Sequence, residues 1–135
     1  MSTKTYHGSC HCKAVTFEAD IDLSKGTSKC NCSICWKTRN WGVTIKPDAF
    51  RLLTGKDALS DYQFATKSGH HWFCKHCGVR PFGDGNIPEI GGDFVSVNVQ
   101  CLDGVEPLDL TFQYWDGRHD NWQSGPRAEP WRMQA

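Results

Sequence analysis

Seven of the chain's eight cysteines fall in three short clusters. These are Cys10-His11-Cys12, then Cys30-Asn31-Cys32-Ser33-Ile34-Cys35, then Cys74-Lys75-His76-Cys77 followed by Gly78. Residues i and i+2 of a strand point to one face, so a Cys-x-Cys pair suits two bonds to one metal better than a bond to itself. A Cys-x-x-Cys before glycine is a tight turn that aims both sulfurs inward, as in zinc knuckles and ribbons. A disulfide framework would need an oxidising compartment, and Met1–His7 lacks the apolar core of a secretory signal. The expected location is therefore the cytoplasm, where thiols stay reduced. A redox Cys-x-x-Cys expects a strand–helix setting and leaves the other clusters unexplained.

Soft thiolates in tetrahedral sites select zinc, although an iron–sulfur cluster also takes four cysteines. Seven ligands divide naturally as four plus three. Four thiolates close a structural site, whereas three leave a position for water or substrate, as catalytic zinc does. Cys30, Cys32 and Cys35 are local enough to hold one ion, and Cys10, Cys12, Cys74 and Cys77 would complete the other. The alternative is that His11, His70, His71, His76 or His119 fills the fourth position and makes the second site structural too. Cys101, alone in a strand-like stretch, is expected to pack as a small apolar residue.

The elements that must carry these thiols read as strands. Ala14–Ile21 and Val95–Gln100 alternate apolar with polar residues, the pattern of half-buried strands. Trp41–Ile45, Phe50–Leu53, Tyr62–Ala65, His71–Cys74 and Thr111–Trp115 are shorter candidates rich in aromatic and β-branched types. Gly83–Gly92 reads as a flexible Gly-rich loop, and no Gly-Lys-Ser/Thr makes it a phosphate loop. Helix is limited to a turn from Cys32 to Lys37, and the tail after Trp115 looks irregular. Short strands spaced by turns indicate an all-β sandwich or folded sheet. A length of 135 residues indicates a single domain over 1–135.

Charge narrows the partners. Fifteen basic residues balance fifteen acidic ones, which argues against a general grip on nucleic acid or an anionic membrane. No apolar run approaches the roughly 20 residues of a membrane span.

The chain resembles the glutathione-dependent formaldehyde-activating enzyme (Gfa) family, which includes centromere protein V. The resemblance rests on Gly8-Ser9-Cys10-His11-Cys12 with Val15–Glu18, on Cys30–Cys35, and on Phe73-Cys74-Lys75-His76-Cys77-Gly78-Val79-Arg80-Pro81-Phe82. Thr54–Leu59 with Tyr62, and Val95–Gly104, extend it over residues 8 to 120. It implies folded antiparallel sheets of the β-tent type and two Zn²⁺ per chain. Cys10, Cys12, Cys74 and Cys77 would be the structural site, and Cys30, Cys32 and Cys35 the open one, its zinc labile. It further implies a carbon–sulfur lyase that condenses formaldehyde with glutathione to S-hydroxymethylglutathione. The arginine common in the family after the third cysteine of the middle cluster is Trp36 here, with Lys37 and Arg39 close by.

Thiol addition to an aldehyde needs a deprotonated thiol, a polarised carbonyl and a place that holds both. A thiol on zinc is deprotonated, and a carbonyl on zinc is polarised. Three thiolates make zinc a weak Lewis acid, which favours thiolate delivery. His11, His76 and His119 are candidate bases. Lys13, Lys37, Arg39, Lys75 and Arg80 are candidate carboxylate binders, and Trp36 and Trp41 candidate pocket walls. The competing function is a non-catalytic, zinc-stabilised binding module, for which the fourth position of the three-cysteine site would be closed.

Overall fold

A computed structural model describes residues 2–134. Among these residues it contains two sheets, one short α-helix and several single 3-10 turns. The smaller sheet is antiparallel, with β2 (Thr16–Ile21) between β1 (Lys4–Ser9) and β5 (Phe50–Thr54). On β2 the alternation does what it predicts. Phe17, Ala19 and Ile21 are buried, while Glu18 and Asp20 face outward and pair with Arg51 of β5 at 2.7 and 2.8 Å.

The larger sheet has seven strands. They run in the order β10 (Phe112–Trp115), β3 (Thr27–Cys30), β4 (Gly42–Ile45), β9 (Gly92–Asn98), β8 (Phe82–Ile87), β7 (His70–Cys74) and β6 (Leu59–Tyr62). Every pairing is antiparallel except β10 with β3, which is parallel. Helix α1 (Ser33–Thr38) bridges β3 and β4. The folded antiparallel, all-β architecture expected from the sequence is the one that forms.

The sheets share one core. Phe17 and Ile21 of the small sheet meet Val43, Val95, Val97 and Phe82 of the large one. Phe50 joins them, its ring 5.3 Å from Phe17 and 4.5 Å from Phe82. Offset aromatic contacts of this kind add about 0.5–1.5 kcal/mol to the burial of the rings. Cys101 is buried against the same core, where burial pushes its thiol up to about 12. That is the apolar role expected of it.

Three readings of the sequence are corrected. Gly83–Gly92 is not a flexible loop: most of it forms β8 and the start of β9. Gly83 and Gly85 are there for close approach, Gly91 and Gly92 for turns at φ 108° and 92°. A Cβ on Gly83 would lie 2.7 Å from the His70 carbonyl, and one on Gly85 3.2 Å from the Phe94 ring. Tyr62–Ala65 is not a strand, because β6 ends at Tyr62 and Ala65 turns at φ 54°. Cys10 and Cys12 do not share a strand face: β1 stops at Ser9, and the pair lies on a turn closed by Lys13 at φ 66°.

Candidate metal centre

Two turns bring the outer cysteine clusters together. In the first, the Cys10 amide donates to the Val15 carbonyl at 3.0 Å and the Lys13 amide to the Cys10 carbonyl at 3.2 Å. In the second, the Cys74 amide donates to Val79 at 2.9 Å and the Gly78 amide to Cys74 at 2.7 Å. Gly78 turns at φ 78°, a conformation glycine adopts without penalty. The Sγ atoms of Cys10, Cys12, Cys74 and Cys77 all lie within 4.8 Å of one another. Cys12 is 3.7 Å from Cys10 and 3.6 Å from Cys74. Tetrahedral zinc with bonds of about 2.3 Å sets its sulfurs roughly 3.8 Å apart, so the donor set fits that ion.

The surroundings also suit negative sulfur. The Val15 amide reaches the Cys10 sulfur at 3.4 Å. Burial raises the Cys77 thiol, but the amides of Cys12 and Val79 together with the Cys74 and Cys10 sulfurs outweigh it and lower the thiol to about 6. Cys10 and Cys74 are buried with Val15 and Ala58 in a small apolar cluster of their own. This tetrad is a closed site that could hold a metal ion.

The middle cluster is built differently. Cys30 ends β3, Cys32 caps α1, and Cys35 lies one turn into α1, so three donors within six residues converge inside 4.8 Å. Among the described residues no His, Asp or Glu joins them at that distance. The histidine-filled fourth position is therefore not what the fold assembles. Hydrogen bonds from Cys30 and Cys35 draw the Cys32 thiol far down, while the same contacts drive Cys35 well above the ordinary thiol range.

A loop after β10 holds this trio in place. Asn31, between two of the cysteines, donates through Nδ2 to buried Asp116 at 2.9 Å. Its Oδ1 accepts from the Arg118 amide at 3.0 Å, and its carbonyl accepts from Arg118 Nε at 2.9 Å. Asp116 is also held by His119 Nδ1 at 2.7 Å. Gly117 presses on the cluster itself: a Cβ there would lie 2.6 Å from Cys30 Sγ. Asp116 and Gly117 were not singled out from sequence. Asp-Gly reads locally as an ordinary turn, and only the tertiary fold sets it against Asn31.

The three cysteines line a cleft of about 500 Å³, with Phe64, His70, His71, Arg80 and Asp84 among its other walls. That size lies within the range of about 300–1,000 Å³ usual for small-molecule sites. His71 Nδ1 is 2.8 Å from the Tyr62 carbonyl, so this nitrogen carries the hydrogen and Nε2 is left as an acceptor. Burial lowers its pKa and keeps the ring neutral. His70 differs, since its Nδ1 lies 2.6 Å from Asp61, which raises its pKa. Cys30 and Cys35 also line a second cleft of about 730 Å³ with Trp36, Arg39 and Trp131.

The other candidates are scattered. His11, Lys13, Lys75 and His76 are exposed on or beside the four-cysteine turns, and none lines the first cleft. His119 stands outside that cleft with its Nδ1 on Asp116. Lys37 is exposed on α1. Trp36 walls only the second cleft, and Trp41 packs instead against Phe112 at 4.8 Å. Of the five proposed carboxylate binders, Arg80 alone reaches the first cleft.

Known proteins are similar to this chain in sequence and in fold. A crystal structure of a Rhodobacter sphaeroides protein superposes with a TM-score of 0.71 at 32% identity, covering 81% of this chain and 98% of that one. A Halomonas elongata protein, provisionally named a glutathione-dependent formaldehyde-activating enzyme, is 36% identical over 78 residues. That stretch is 52% of this chain, and the match spans half the length of the Halomonas protein. The family model described as glutathione-dependent formaldehyde-activating enzyme matches residues 5–118, a span that takes in all three cysteine clusters. The chain belongs to the glutathione-dependent formaldehyde-activating enzyme family.

Proposed function

We propose that this chain is a zinc-dependent carbon–sulfur lyase that joins formaldehyde, or a related small aldehyde, to glutathione. In this reading residues 1–135 act as one domain in the cytoplasm, with two zinc ions. Cys10, Cys12, Cys74 and Cys77 hold the structural ion, and Cys30, Cys32 and Cys35 hold the second. The observation that carries the reading is the three-sulfur cluster opening on a cleft with, among the described residues, no fourth Cys, His, Asp or Glu donor beside it. A non-catalytic module would have no use for that opening. Family membership supports the choice of glutathione and formaldehyde.

Zinc held by Cys30, Cys32 and Cys35 would supply an open position and the Lewis acidity that favours a thiolate over a thiol. The protein supplies the rest. The reaction breaks the thiol S–H and the carbonyl π bond, forms one carbon–sulfur bond and leaves the proton on the former carbonyl oxygen. His71 is the base in this scheme. Its hydrogen bond to Tyr62 fixes Nε2 as the acceptor, and burial keeps it unprotonated. It takes the thiol proton and returns it to the hydroxymethyl oxygen, so no oxidant or reductant is consumed. The cleft brings both reactants together, which converts a bimolecular encounter into a local one.

The test is carbon-13 exchange NMR on zinc-loaded protein with labelled formaldehyde and glutathione, compared with the fast uncatalysed exchange. Acceleration that Cys32→Ser abolishes while the fold survives is the expected result. No acceleration in a sample confirmed to hold two zinc ions would remove formaldehyde condensation.

A further inference from the structure

Among the described residues, Arg80 is the one whose buried side-chain nitrogens lack a hydrogen-bond partner. Its Nε and Nη1 are buried and without a hydrogen-bond partner, and no carboxylate pairs with it among the described residues. Buried charges in native proteins are normally paired, and leaving one unpaired is costly. The carboxylates in the same wall are engaged elsewhere. Asp84 accepts from Trp72 Nε1 at 3.0 Å, and Asp120 accepts from Trp122 Nε1 at 3.3 Å. The other guanidinium in the wall, Arg118, has its Nε on Asn31. Arg80 is thus an unpaired cation in the wall of the cleft that carries the three cysteines, with Nε and Nη1 turned into the protein and Nη2 the donor left to meet a ligand.

The chain makes room for that guanidinium. Gly83 lies against it, and a Cβ there would stand 2.9 Å from Arg80 Nη2. A guanidinium N–H makes a charge-assisted hydrogen bond to a carboxylate, the strong class of such bonds. We propose that Arg80 binds a carboxylate of the thiol substrate, and so selects thiols that carry one over neutral thiols. The inference takes from the condensation reading only that a thiol occupies the cleft. It names the feature of that thiol which the protein reads.

The test uses the zinc-loaded full chain and S-methylglutathione, whose capped sulfur cannot condense with an aldehyde. Its dimethyl ester has the same backbone without the carboxylate charges. Calorimetric titration should show the acid binding at least about 10-fold tighter than the ester, with Arg80→Gln losing about 10- to 100-fold for the acid and little for the ester. Arg80→Lys should recover part of the loss. Arg80→Gln should keep two zinc ions and melt no lower than the parent, because a neutral amide is cheaper to leave unpaired than a cation. Equal affinity for acid and ester, no binding of the acid, or an unchanged variant each overturns the proposal. A variant that loses zinc or melts lower assigns Arg80 a structural role instead and overturns it too. Exchange NMR on the same samples keeps the two readings apart. Binding without acceleration retains Arg80 and removes condensation, while acceleration that Arg80→Gln leaves untouched removes Arg80 alone.

Discussion

Gly117→Ala should empty the three-cysteine site and spare the four-cysteine one. Gly117 does not need glycine for its backbone, since its φ lies outside the left-handed region. The constraint is space alone. An added Cβ would stand 2.6 Å from Cys30 Sγ and 2.7 Å from the Trp122 ring. Trp122 is itself held by its Nε1 on Asp120 at 3.3 Å, and the backbone on both sides is fixed by Asn31. The sulfur is then the atom that must shift. Overpacking a tight contact costs about 1–3 kcal/mol, and disturbing the shell around metal ligands costs about 10- to 100-fold in affinity. Zinc release to a chromophoric chelator, read with thermal melting, checks both magnitudes. The variant should surrender one of two zinc ions at chelator concentrations the parent withstands. Gly8→Ala is the control. Its Cβ would meet the Phe17 ring and stand 2.8 Å from the Cys101 carbonyl, so it should melt lower without selective loss of one zinc. If Gly117→Ala holds both ions as tightly as the parent, the positioning of Cys30 by this loop is refuted.

Two further predictions use the same protein. Cys74→Ser should lower the melting temperature far more than Cys32→Ser does, because Cys74 is buried in a cluster at the junction of the sheets while Cys32 is not; equal losses would show that the tetrad is no staple. His70 has its pKa raised by Asp61, so its stabilising pair is fully present below about 6.5 and is lost as pH rises through the folded value. The pair is half-exposed, which limits it to within about 1 kcal/mol. Asp61→Asn should flatten that decline in denaturant titrations above pH 6.5, and an unchanged slope would mean the contact is not made in solution.

The sequence disclosed the ligands far better than the surfaces around them. Cysteine spacing is covalent information, so the three clusters were legible before any fold was known; that Cys10 and Cys12 join Cys74 and Cys77 was implied by the family resemblance, and those four sulfurs do converge. The apolar alternation of Phe17, Ala19 and Ile21 was legible for the same local reason. What stayed hidden depends on distant contacts. Gly83 and Gly85 look like loop residues until β7 and Phe94 are placed against them. His70 and His71 read only as spare metal ligands, because nothing local says that they face residues forty positions earlier. Asp116 reaches Asn31 across 85 residues. Periodicity reports what a strand buries, not which strand lies beside it.

The two cysteine sites differ because of how far apart their donors lie along the chain. The tetrad draws one pair from the turn after β1 and the other from the turn after β7. Those strands belong to different sheets, so an ion there closes a loop of more than sixty residues and works against the entropy of the unfolded chain. Such a site contributes most when it is saturated and shut. The trio comes from six consecutive residues and joins nothing remote, so an ion there adds little to the fold. Its rigidity comes instead from Asn31, Asp116 and Gly117, which hold the cysteines whether or not a fourth group is present. A site that does not have to tie the fold together can leave one side open to a cleft, and an open side is what a small substrate needs.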